Sequence, residues 1–145
     1  MATRTAHTSW TGGLNDGTGT VELRSSGVGT FAVSFPKRTA DAADGTTSPE
    51  ELVGAAHASC YAMQLSGVIA ANGGTPKGLE ITANVSLGPD PAGGLRLTGI
   101  ELVVRGTVEG MDEEGFVAAA ENAKETCPVS KALTGVEITL DAALA

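Results

Sequence analysis

The chain has 145 residues with 17 acidic against 9 basic side chains, a net charge of -8. That length suits one domain with one sizeable core, and the acidic balance without a Lys/Arg cluster argues against a nucleic-acid surface. Met1 is followed by polar residues, so neither a signal peptide nor an apolar run able to span a bilayer is expected, and the cytoplasm is the default compartment.

Thr3 to Thr11, Thr18 to Leu23 and Thr30 to Phe35 read as three short strands. Gly-rich turns separate them, and Pro36 stops the last one. Lys37 to Thr47 reads as a polar, exposed loop. On its own, Arg38 within it is a surface arginine. Ser48 to Gly67 is the stretch around which the chain is organised. Ser48 suits the cap of a helix, Pro49 its first position, and Glu51 the capping-box place three residues on. The Ala/Leu-rich body favours helix. Leu52, Ala56, Cys60, Met63 and Gly67 form one stripe on it. Asn72-Gly73-Gly74 marks its end.

Leu79 to Leu87 and Leu95 to Val108 read as two long antiparallel strands joined by a Gly/Pro loop. Leu95 and Leu97 mark one phase, and Ile100, Leu102 and Val104 the other, so a bulge is predicted between them. Asp112 to Thr126 is a second helix, capped by Asp112. Pro128 ends it and opens a short third helix to Leu133. Val136 to Leu140 is a final alternating strand. Strands with few covering helices give an α+β fold, with antiparallel sheet against the long central helix and the second helix. No dinucleotide or phosphate-loop motif is present.

Two cysteines in a reducing compartment are either inert core thiols or a working redox pair. Cys60 lies inside a helix, where nothing intrinsic lowers its pKa, although a nearby arginine would. Cys127 lies where one helix stops and another starts, so local reasoning nominates it as the easier thiolate. His57, three residues before Cys60, is either a packing histidine or one half of a Cys-His couple for acyl hydrolysis. His7 has no evident partner, and no Cys-x-x-Cys or His-x-x-x-His spacing suggests a metal.

Thr47-Ser48-Pro49-Glu50-Glu51-Leu52 and Ala55-Ala56-His57-Ala58-Ser59-Cys60-Tyr61-Ala62-Met63 resemble the central helix of the OsmC branch of the OsmC/Ohr family. Cys127-Pro128-Val129-Ser130-Lys131-Ala132-Leu133 resembles its second cysteine motif, and Glu137-Ile138-Thr139-Leu140 and the early His7-Thr8-Ser9-Trp10 fit as well. The likeness covers essentially the whole chain, 1–145, as a single OsmC-like domain.

The resemblance implies an intertwined homodimer of thiol-dependent peroxidase subunits, with two active sites at the interface and a preference for organic hydroperoxides over hydrogen peroxide. By resemblance, Cys60 is the peroxidatic cysteine, Cys127 the resolving cysteine, Arg38 the catalytic arginine and Glu50 the glutamate that holds it; Arg24 is the substitute for Arg38. The resemblance also implies no metal or bound cofactor, and an external dithiol reductant, a dihydrolipoyl-type protein among the candidates. No nucleic acid or membrane is an expected partner. The contrasting reading is a non-enzymatic small-molecule-binding or stress-structural dimer.

Overall fold

The computed structural model describes residues 1–145, as two units, Met1–Leu52 and Val53–Ala145. In the first unit, β1 (His7–Thr11), β2 (Thr18–Glu22) and β3 (Thr30–Val33) form an antiparallel meander in that order. Short turns leave sequential neighbours as the natural partners. The predicted strand ends are trimmed: β3 stops at Val33, and Phe35–Arg38 forms a helical turn, α1, where a loop was expected. Ser34 caps that turn by accepting from the Lys37 N–H, and Pro36 occupies its start. Pro36 therefore stops the strand and begins the turn, since its fixed φ suits a first helical turn.

Helix α2 runs Pro49–Ala71, 23 residues. It ends before Asn72-Gly73-Gly74, as the sequence predicts. Ser48 accepts from the Glu51 N–H at 3.1 Å. The reciprocal half of the capping box differs, because the Glu51 carboxylate accepts from the Thr47 hydroxyl at 2.6 Å.

The second unit holds the rest of α2, then β4 (Thr75–Pro89), β5 (Leu95–Glu109), α3 (Glu113–Thr126), α4 (Pro128–Ala132) and β6 (Ile138–Leu144). β4 and β5 pair antiparallel, with a register shift between Ser86 and Leu87 that leaves Thr98 unpaired on β5. This is the bulge predicted from the phase change. Beyond it Ile100, Leu102 and Val104 turn fully inward. The last strand adds to the far edge of β5 in parallel. The alternation of β6 shows a half-buried strand but not its direction. A parallel neighbour requires a crossover, which α3 and α4 supply.

The core lies between this sheet and helices α2 and α3. Tyr61, Leu65 and Ile69 of α2, Ile100, Leu102 and Val104 of β5, and Phe116, Ala120 and Ala123 of α3 are buried together. Each large member contributes about 1.5–3 kcal/mol by leaving water. Two glycines set the spacing. A side chain at Gly54 would meet the Ala83 carbonyl of β4 at 3.1 Å, and one at Gly106 would strike the Phe116 ring at 2.5 Å.

The buried face of α2 is therefore Gly54, His57, Tyr61, Leu65 and Ile69, not the predicted stripe. Of that stripe Leu52 and Cys60 are half-buried, while Ala56, Met63 and Gly67 are exposed. The helix is also long and apolar enough, by length and composition, to cross a membrane, contrary to the sequence expectation. Only 28% of its apolar window is buried, so α2 presents an apolar face that its own sheet does not cover.

Candidate active site

Two side-chain pairs carry the chemistry, one in each unit. In Val53–Ala145, Cys60 sits half-buried in the middle of α2 and Cys127 is fully buried where α3 meets α4. Their sulfurs are 3.4 Å apart, and both are free thiols. Pro128 forces the residue before it out of helical conformation, and Cys127 is extended, with φ -61° and ψ 124°. Its N–H donates to the Ala123 carbonyl at 2.9 Å, and its own carbonyl accepts from the Lys131 N–H at 3.0 Å. One residue thus closes α3 and opens α4 with both backbone groups satisfied.

Successive turns of α2 hold that junction in place. The His57 Nε2 and Ser130 Oγ are 2.7 Å apart, the Tyr61 hydroxyl donates to the Ala120 carbonyl at 2.8 Å, and the Gln64 amide donates to Thr126 Oγ1 at 2.9 Å. A disulfide needs sulfurs about 2.0 Å apart, so only a small approach separates the two sulfurs from bonding distance once one of them is oxidised.

The surroundings treat the two sulfurs differently. Burial raises the pKa of Cys60, and the neighbouring Cys127 adds to that rise against the opposing Val129 N–H. Burial also opposes ionisation of Cys127, but the Ser130 N–H, the Cys60 thiol, the Ser130 hydroxyl and the Val129 N–H together outweigh it and lower its pKa. Within this unit the charge therefore favours Cys127, as local sequence reasoning predicts. Its sulfur makes no side-chain cap bond at the start of α4.

In Met1–Leu52, Arg38 at the end of α1 pairs with Glu50 in the first turn of α2. Arg38 Nε donates to both carboxylate oxygens at 3.1 Å, and Nη2 donates to Oε1 at 2.7 Å. The side chains are 30% and 10% exposed, so water screens this pair less than an ordinary surface one. Burial pushes the Glu50 carboxyl upward, and the Arg38 hydrogen bonds and charge outweigh it, leaving the pKa lowered. The hydrogen bond to Glu50 keeps Arg38 firmly charged. The guanidinium borders an apolar cavity of about 440 Å³ lined by Trp10, Leu14, Val21, Val33, Phe35 and Leu52, among others.

The predicted residues thus fall into two pairs, Cys60 with Cys127 and Arg38 with Glu50. Arg24 binds Glu22 at 3.0 Å with both side chains well exposed, which leaves it no comparable setting. His57 does not engage Cys60: Nε2 faces Ser130, and Nδ1 is buried with no partner. The Cys-His hydrolase arrangement is therefore absent. Ser130, Gln64 and Thr126 were not singled out in the sequence. The one local signal for Ser130 is its place in the first turn after a cysteine cap. No group of three or more His, Cys, Asp or Glu side chains gathers as a metal site.

An α+β fold with a free dithiol set between its central helix and a helix junction defines a thiol-based redox protein. The family profile described as OsmC-like protein matches residues 42–141. Peroxiredoxin OsmC of Escherichia coli (strain K12) is 39% identical over 132 residues, 91% of this chain and 90% of that one. Organic hydroperoxide resistance protein OhrA of Bacillus subtilis (strain 168) is 36% identical over 98 residues, 67% of each chain. Among solved structures, an organic hydroperoxide resistance protein from Elizabethkingia anophelis matches with a TM-score of 0.80 at 30% identity, covering 100% of this chain and 98% of that one. The chain belongs to the OsmC/Ohr family of thiol-dependent peroxidases. Its similarity to characterised members supports enzymatic, thiol-based redox activity.

Proposed function

We propose that this protein, on the OsmC branch of its family, reduces organic hydroperoxides through a sulfenic acid on Cys60 and a Cys60–Cys127 disulfide. The observation that carries the reading is the pair of free sulfurs 3.4 Å apart. The Cys60 thiolate attacks one peroxide oxygen, the O–O bond breaks, and the alkoxide takes a proton and leaves as an alcohol. Cys60 is now a sulfenic acid. The Cys127 sulfur attacks the Cys60 sulfur, the S–O bond breaks, and the departing hydroxide takes up a proton as water. An external dithiol reduces the disulfide by exchange and is itself oxidised; a dihydrolipoyl-type protein suits this step. Hydrogen peroxide is the poorer substrate, because an apolar wall such as the one beside Arg38 rewards an alkyl group. The cycle uses no bound cofactor, and a reducing cytoplasm suits its resting dithiol.

Arg38 and Glu50 enter by assembly. Glu50 and Cys60 are ten positions apart on α2, about 15 Å along the axis, too far for one straight helix to bring both to one peroxide. A two-fold homodimer with antiparallel central helices removes that gap, placing Arg38 and Glu50 of the partner subunit beside Cys60. Gly54 packs on its own β4, so the contact falls to the exposed Ala55, Ala56, Ser59 and Met63. The arriving guanidinium reverses the single-chain preference and makes Cys60 the thiolate.

The reading is tested by following consumption of an alkyl hydroperoxide with a dithiol present. Turnover is expected in the native protein, and only background in Cys60→Ser. Unchanged turnover in Cys60→Ser would defeat it.

A further inference from the structure

We infer that Gln64 is a positioning residue for the dithiol: its amide bridge to Thr126 holds the end of α3 against α2 and sets how readily Cys60 and Cys127 close to a disulfide. The inference rests on the cycle proposed above for its part in turnover. Its test uses glutathione in place of peroxide.

Gln64 stands one turn after Cys60 on α2, on the same face of the helix. Thr126 immediately precedes Cys127. The bridge is therefore the rung next to the sulfur pair, 2.9 Å from Gln64 Nε2 to Thr126 Oγ1 beside 3.4 Å between the sulfurs. Its direction is fixed by a second bond. The Thr126 hydroxyl donates to the Asn122 carbonyl at 2.7 Å, and a carbonyl has no hydrogen to return. Oγ1 thus offers Gln64 only lone pairs, so the amide must present its nitrogen. The bond to Asn122, one turn back on α3, also holds the Thr126 side chain in one rotamer. Both Gln64 and Thr126 are half-buried, which spares the bridge part of the competition from water.

The place of this rung gives it its effect. Cys127 is the joint between two helices: α3 ends at Thr126, α4 begins at Pro128, and the joint itself is extended. The other ties from α2 land farther away, Tyr61 on the Ala120 carbonyl and His57 on Ser130. Gln64 alone among them ties the residue adjacent to the second thiol. In the reduced protein no covalent bond holds the sulfurs together, and any time the end of α3 stands off α2 is time in which they cannot join. Restricting that motion raises the effective concentration of Cys127 at Cys60. In the proposed cycle, Cys127 then displaces the oxygen of the Cys60 sulfenic acid before a second hydroperoxide carries that sulfur to the irreversible sulfinic acid.

The test equilibrates the full chain with reduced and oxidised glutathione, blocks the remaining thiols and weighs the protein. One glutathione disulfide becomes two glutathione thiols as Cys60 and Cys127 lose two hydrogens and join, so the ratio of forms gives the exchange constant. Gln64→Leu and Thr126→Val, which remove one end of the bridge each, are expected to lower that constant about fivefold, the factor for one hydrogen bond. The double variant should fall no further than either single one, because one bond is lost in all three. Thr126→Ser keeps the hydroxyl and is expected to stay near native. A bond that only stabilises the fold holds equally in both redox forms; it would lower the melting temperature and leave the exchange constant where it was. An unchanged constant in Gln64→Leu therefore overturns the inference, even if Thr126→Val does not fold. A Thr126→Ser constant as low as that of Thr126→Val, or losses that multiply in the double variant, overturn it as well. Absence of peroxidase turnover in the native protein would leave the exchange constants standing, so the two readings fail separately.

Discussion

The thiol pair and the arginine pair are built in opposite ways. Cys60 and Cys127 are held by the core: three turns of α2 bond to α3 and α4 around them, and one of the two sulfurs is wholly out of water. Arg38 and Glu50 join a four-residue helical turn to the first turn of α2, at the edge of an apolar cavity. The first pair is geometrically ready for a disulfide inside one unit, but its surroundings favour ionisation of the sulfur proposed to act second. The second pair supplies a fixed positive fork but no nucleophile. Each pair lacks what the other has, which is the physical reason to expect that assembly completes the site.

The comparison breaks most sharply at Cys127. With Cys127→Ser, one round of peroxide reduction is expected to survive while steady dithiol-driven turnover falls. Mass analysis of oxidised native protein should find the Cys60–Cys127 link within one chain. An exclusively interchain disulfide would contradict the 3.4 Å geometry.

Next in size is the arginine. Arg38→Ala is expected to move Cys60 ionisation to higher pH and to lower turnover by about tenfold or more. Arg38→Lys should recover only part, because an ammonium cannot reproduce the fork. Arg24→Ala serves as the control: its exposed pair with Glu22 predicts stability within about 0.5 kcal/mol of native and unchanged turnover.

The smallest effect separates the structural from the chemical share of Glu50. Its folded pKa lies below the ordinary 4.5, so the unfolded chain binds the proton more readily. The resulting stabilisation is present above the unfolded value and is lost as pH falls through the depressed folded value. Glu50→Gln should therefore be less stable than native near neutral pH, by about 1–2 kcal/mol, with the gap closing below pH 4.5. A gap constant across that range would show that the carboxylate charge contributes nothing to the fold.

Most elements were legible in the sequence because their signals are local. Asp112 accepts from the Gly115 N–H as its capping position predicts, Pro128 splits α3 from α4, and the β5 phase change marks a real bulge. The failures occurred where a residue's surroundings, rather than its type, decide. The stripe chosen on α2 pointed away from the sheet, because Ala, Gly and Ser make every face of that helix similarly apolar; the true inward face is fixed by Tyr61, Leu65 and Ile69 meeting β5 and α3. The parallel direction of β6 depends on the α3–α4 crossover, which no strand pattern encodes. At the site, the four residues proposed for catalysis were readable only through the family resemblance. Local chemistry alone ranked Cys127 above Cys60, and the single-chain surroundings rank them the same way. Ser130 was invisible because its side-chain partner, His57, lies 73 positions away.

The measurement that bears most directly on a site completed by two chains is complementation in a mixed dimer. Arg38→Ala and Cys60→Ser proteins, each near background alone, are unfolded, mixed and refolded together, and peroxide consumption with a dithiol is measured. If Arg38 of one subunit serves Cys60 of the other, each heterodimer contains one intact site and activity reappears on mixing. If the four residues act within one chain, both sites of every heterodimer are damaged; a mixture that forms heterodimers yet stays at background would contradict the account.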